Sequence, residues 1–155
     1  MRARLMSDDT LLEFGKAYQG RYCAVQRREH DWVFGFGDNE RIAVTVPWRI
    51  IQNGRIAHAM QDDGQKFGLP QPIDGEARAN DLLQGRRVER LDLDHVTADL
   101  RLHFDGETRI DVFNDSSGYD GWQATFRVGY DVVSIIGMGG GDVAIFRQAV
   151  PSRKS

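Results

Sequence analysis

Cysteine is nearly absent from this chain. Cys23 is the single one, which excludes an intrachain disulfide and a cysteine-based zinc site and fits a reducing compartment. Lysine is scarce too: 3 lysines stand against 17 arginines, and 6 glutamates against 17 aspartates, a bias we read as that of a GC-rich bacterial genome. Acids and bases are interleaved to a net charge of −3. No basic face is evident, so nucleic acid is not an expected partner. Long apolar runs are missing. The longest, 132–138, is broken by Ser134 and Gly137 and falls far short of the ~20 residues of a membrane helix. The opening MRARLMSDDTLLEF has no apolar segment ahead of Asp8 and Asp9 and does not read as a signal peptide. We therefore expect a cytoplasmic protein without membrane association.

Signatures of catalysis are equally sparse. The histidines, His30, His58, His95 and His103, are scattered, and none is paired at metal-ligand spacing. There is no Gly-x-Ser-x-Gly elbow to expose a serine nucleophile. Asp92 and Asp94 alternate with Leu91 and Leu93, and His103 alternates with Leu102 and Phe104, so all three read as solvated strand positions. The glycine run 137–141 lacks the Lys-Ser/Thr and the helix of a phosphate loop. Asp142 behind it would repel a phosphate, so a tight turn or bulge is expected. No cofactor, metal or catalytic residue is assigned, and the reading leans away from an enzyme.

What is present is period-2 alternation. A chain of 155 residues reads as one domain, able to bury about 70% of its unfolded surface in a core. Ser7 before Asp8 and Asp9 predicts a helix N-cap, with a helix to about Ala17. Arg21–Val25 reads as a strand. Trp32, Phe34 and Phe36 alternate, as do Ile42, Val44 and Val46. A three-residue loop with Asn39 left-handed pairs Phe34 with Ile42 and Trp32 with Val44. Asn53-Gly54 predicts a second hairpin, and 61–75 reads as a long loop before a short helix from Glu76 to Leu83. Further strands follow: 87–93 with an irregular step near Val88, an alternation of Leu100, Leu102 and Phe104, a turn at Asp105-Gly106, a return through Ile110 and Val112 with Leu102 opposite Ile110, then 122–128, 131–136 and 143–146. In this register Arg101 faces Asp111 on the outer side. The PSRKS tail reads as frayed.

The pattern occurs twice. Gln19-Gly20-Arg21 returns as Gln84-Gly85-Arg86, Arg41-Ile42-x-Val44 as Arg109-Ile110-x-Val112, and Trp48 as Trp122. This predicts an α+β fold, mostly antiparallel β. Two similar β-meander halves, 7–60 and 76–147, would form a sandwich, roll or partly closed barrel with one or two short helices. The 61–75 loop joins them within a single domain spanning 1–155.

The copies differ between Val112 and Trp122, where nine residues replace the three between Val44 and Trp48. The inserted loop holds Asp115, Ser116, Tyr119 and Asp120 and runs into Trp122. Asp, Ser and Gly make good turns by themselves. Aromatic residues held on a loop by a sheet are also what binding surfaces use as anchors. Asp115, Ser116, Tyr119, Asp120 and Trp122 are the binding candidates, although all three tryptophans also fit a core. NDSSGYDGW followed by a strand pair and GMGGG resembles small uncharacterised bacterial β-rich proteins, some similar to immunity proteins of polymorphic toxin systems. That resemblance implies a non-enzymatic protein that binds a protein partner, a toxin domain among the candidates. The alternatives are a small-ligand binder or enzyme with a cavity between the halves, and a homodimer.

Overall fold

The computed structural model describes residues 7–150; the expectations for 1–6 and for the PSRKS tail lie outside them. The Ser7 hydroxyl accepts the Thr10 N–H and starts helix α1 (Asp8–Tyr18), with Asp8 and Asp9 at its positive end. The strands β1 (Ala24–Arg27), β2 (Trp32–Gly35), β3 (Arg41–Val44), β4 (Trp48–Gln52) and β5 (Arg55–Ala59) follow. Asp74 caps helix α2 (Gly75–Leu83). Then come β6 (Val88–Leu93), β7 (Leu100–Phe104), β8 (Thr108–Val112), β9 (Trp122–Val128), β10 (Asp131–Gly137) and β11 (Val143–Ala149). The strands form two antiparallel sheets, in the orders β1-β2-β3-β9-β10-β11 and β5-β4-β8-β7-β6, packed as a sandwich. Among the described residues no helix is long and apolar enough to cross a membrane.

The two halves exchange strands. The meander β1-β2-β3 is completed by β9 from the second half, and β6-β7-β8 by β4 from the first. The registers repeat: Val44 faces Trp122 and Ile42 faces Ala124, while Val112 faces Trp48 and Ile110 faces Ile50. All eight of these residues are at most 2% exposed, so the seam between the halves is filled with side chains. Tyr22 and Arg87, which follow the two Gln-Gly-Arg-type helix ends at the same spacing, bridge to one another. A contact between a position and its own counterpart is what a two-fold relation produces.

The repeated Gln-Gly-Arg has a structural reason. Each glutamine ends a helix and each glycine follows with positive φ, 79° at Gly20 and 74° at Gly85. The arginine then turns back onto its helix. Arg21 Nε donates to the Ala17 carbonyl (2.8 Å) and Arg86 Nε to the Leu82 carbonyl (3.0 Å). The far ends of the same guanidiniums reach the Phe36 carbonyl in one half and those of Asp105 and Gly106 in the other. Helix end and hairpin turn are thus tied together twice.

Several expectations need correction. The 37–39 loop gives the expected pairing of Phe34 with Ile42, but Asn39 is not left-handed. The first strand begins at Ala24, with Tyr22 contributing only its bridge. The 61–75 segment is a loop as expected, apart from a 3-10 turn at Met60–Asp62 and the helix start at Gly75, and it is folded back on itself by Gly64 N–H to the Ile73 carbonyl and Ile73 N–H to the Gln65 carbonyl, both 2.8 Å. Arg101 does face Asp111, yet Asp111 is 2% exposed and sits beneath three arginines.

Candidate functional site

The inserted loop does not stand alone. Asn114 gathers three segments at one end of the sandwich. Its side-chain amide donates to the carbonyls of Thr97 (2.9 Å) and Met138 (2.8 Å), while its backbone N–H donates to Asp99 Oδ1 (2.7 Å). Residues 94–99, 113–121 and 137–142 therefore form one platform. Trp122 closes it from below: the indole is 2% exposed and its N–H donates to the Ala98 carbonyl at 2.7 Å. Trp122 is a core residue that anchors the loop rather than a side chain offered at the surface.

Each segment is internally braced. Asp94 Oδ1 accepts the N–H groups of Val96 and Thr97, which holds its carboxyl below the usual range. Ser116 Oγ accepts from Gly118 and Tyr119, and its carbonyl accepts the Gly140 N–H. Ser116 is thereby part of the turn. The glycine run is required by backbone contact. A Cβ on Gly139 would meet the Gly118 backbone, and one on Gly141 the Val96 carbonyl.

The platform leaves two large side chains in solvent, Tyr119 at 83% and Val96 at 80% exposure. Asp115 and Asp120 are exposed beside Tyr119, and the Asp120 carbonyl accepts the Thr45 hydroxyl. Of the five residues singled out from the sequence, Asp115, Tyr119 and Asp120 face solvent, Ser116 shapes the turn and Trp122 is enclosed. Val96 was missed because a lone valine between His95 and Thr97 carries no pattern; only the folded loop shows that it is unpacked.

Two further clusters escaped the sequence. Across the outer face of the five-stranded sheet, Asp111 accepts from Arg49 Nε (3.1 Å) and Arg109 Nε (2.8 Å), with Arg101 Nε at 3.9 Å. The other is His58, fully enclosed against the Trp48 ring. Among the described residues neither of its ring nitrogens meets a hydrogen-bonding group, and Asp62 Oδ2 is 3.9 Å away. Desolvation lowers its pKa and outweighs the pull of Asp62. Cys23 is buried, and burial pushes its thiol far up, which makes it a poor nucleophile. Among the described residues no His/Cys/Asp/Glu group is arranged to hold a metal ion. No family model, curated protein or solved structure matches the chain.

Proposed function

We propose that this protein is a non-enzymatic protein-binding module of the cytoplasm, and that its contact surface is the platform carrying Tyr119 and Val96. The supporting observation is the combination of a braced base with unpacked tips. An aromatic and an aliphatic side chain stand in solvent on loops already tied by Asn114, Asp94 and Ser116. Such a surface binds without the cost of ordering its own loops, and an amphipathic tyrosine is a favoured anchor. The resemblance carried by NDSSGYDGW makes a toxin domain the first partner to test.

The experiment is affinity capture from native lysate with the wild-type chain and with Tyr119→Ala/Val96→Ser, followed by titration calorimetry on whatever is recovered. A stoichiometric protein partner is expected, with affinity reduced at least about tenfold by the double substitution. Recovery of a small molecule with no stoichiometric protein sinks the reading. So does a partner that binds the double variant as tightly as the wild type.

A further inference from the structure

The outer face of the five-stranded sheet carries an unusual charge arrangement for an acidic protein. Arg101, Asp111 and Arg49 lie in one row across β7, β8 and β4, and His103, Arg109 and Ile51 in the next. Three guanidiniums converge on the single enclosed carboxylate of Asp111. Within this group three guanidiniums share one carboxylate, with Asp92 opposite Arg101 on the next strand, although the chain as a whole is at −3.

The geometry also leaves hydrogen-bonding capacity unused. Arg49 donates its Nε to Asp111 at 3.1 Å, so the carboxylate holds the near edge of that guanidinium, while Arg101 Nε stands 3.9 Å away within ion-pair range. Among the described residues their terminal amino groups meet no hydrogen-bond acceptor. Arg49 is fixed further by stacking over the Phe113 ring at 4.9 Å, while the Arg101 side chain is 59% exposed. Arg49 is thus an oriented, open fork, and Arg101 a solvent-exposed guanidinium drawn toward the same carboxylate. Beyond Arg49 and Phe113 the face continues into an apolar groove of about 250 Å³ walled by Pro47, Ile56 and Met60. Ile56 is 60% exposed.

We propose that this face binds an acidic segment of a partner protein, an Asp or Glu carboxylate seated on Arg49 and Arg101 and a neighbouring apolar side chain in the groove beside Phe113. Guanidinium forks match a carboxylate in bidentate geometry, and the groove takes the side chain that a bare anion lacks. A nucleic acid fits less well. Glu89, Glu107 and Asp92 flank the arginines on the same face, and a continuous phosphate backbone would run over them. This surface is distinct from the Tyr119 platform, so either can fail without the other.

The test uses the intact chain and fluorescence anisotropy with three labelled ligands: an alternating Glu/Leu peptide, its Gln/Leu counterpart and single-stranded oligo-dT. The Glu/Leu peptide is expected to bind, to weaken as salt rises from about 50 to about 300 mM, and to exceed both other ligands. Arg101→Gln, which leaves Arg49 and Arg109 on Asp111, should weaken it about tenfold. Arg101→Lys should restore part of that loss, and Tyr119→Ala should cause none. Circular dichroism confirms that each variant is folded. Failure of the wild type to bind the Glu/Leu peptide overturns the proposal, as does equal binding of Gln/Leu, tighter binding of oligo-dT, or insensitivity to Arg101→Gln. If loss follows Tyr119→Ala instead, the acidic segment belongs to the platform.

Discussion

Asn114→Ala is the sharpest perturbation of the platform. The substitution removes the amide that donates to the Thr97 and Met138 carbonyls but leaves the backbone N–H to Asp99 in place. Two net hydrogen bonds are worth about 1–3 kcal/mol, and part-buried carbonyls left without donors add to that, so we expect a loss of roughly 2–4 kcal/mol. For a domain of this size that corresponds to a drop in Tm of roughly 5–12 °C. The distinguishing assay is native-state hydrogen exchange. Protection should fall first at Gly140 and Gly121, whose N–H groups bond the Ser116 and Gly137 carbonyls across the platform. The paired strands β2 and β3 should lose only what the global change dictates. Uniform loss across both regions, or an unchanged Tm, would refute the view that Asn114 unites the three loops. Asn114→Asp should be worse, because a carboxylate would face the same two carbonyls.

Other outcomes follow from enclosed polar groups. His58 has a folded pKa below its unfolded value near 6.5, so the unfolded chain binds more protons in the window between the two values. Stability is complete above 6.5 and falls as pH drops toward the folded pKa; urea melts at stepped pH should show this slope, and His58→Leu should flatten it. The Tyr18 hydroxyl lies against the carbonyls of Arg41 (3.1 Å) and Thr125 (2.9 Å), a register pair of β3 and β9. Tyr18→Phe should cost about 1–2 kcal/mol in chemical denaturation, and a neutral result would show that the hydroxyl contributes nothing there. Asp111→Ala removes the carboxylate beneath Arg49, Arg101 and Arg109. Because those arginines reach solvent, we expect a loss of about 1–3 kcal/mol, below that of breaking a fully buried pair; a gain in stability would contradict the reading that Asp111 orients Arg49 and Arg109.

The alternation of Trp32, Phe34, Ile42 and Val44 determined its own register, because a one-residue slip would have turned every apolar side chain outward. The same logic made Leu102 and Ile110 legible as partners. The repeat of Gln-Gly-Arg was visible as a pattern, but its meaning was not. That an arginine would clamp a helix end to a distant turn depends on contacts that periodicity does not encode. Asp111 shows the limit most clearly. Alternation assigned it to the outer face, correctly, yet three arginines from three strands enclose it there. Which strands become neighbours was set by the exchange of β4 and β9, and no local signal announces that exchange. Trp122 was ambiguous for the same reason: its place beneath the loop is decided by Ala98, 24 residues earlier.

The strand exchange bears on how the chain can be cut and rejoined. Since β4 and β9 each complete the opposite sheet, a separated half would expose an unpaired edge on both its meander and its donated strands. It would have no closed core of its own. Folding must then be cooperative across the whole chain, with its slow step the meeting of distant segments rather than local hairpin closure. A backbone nick in the exposed stretch 66–72 would sever no sheet. The two fragments retain mutually complementary edges, which makes this fold a natural candidate for split-protein reassembly.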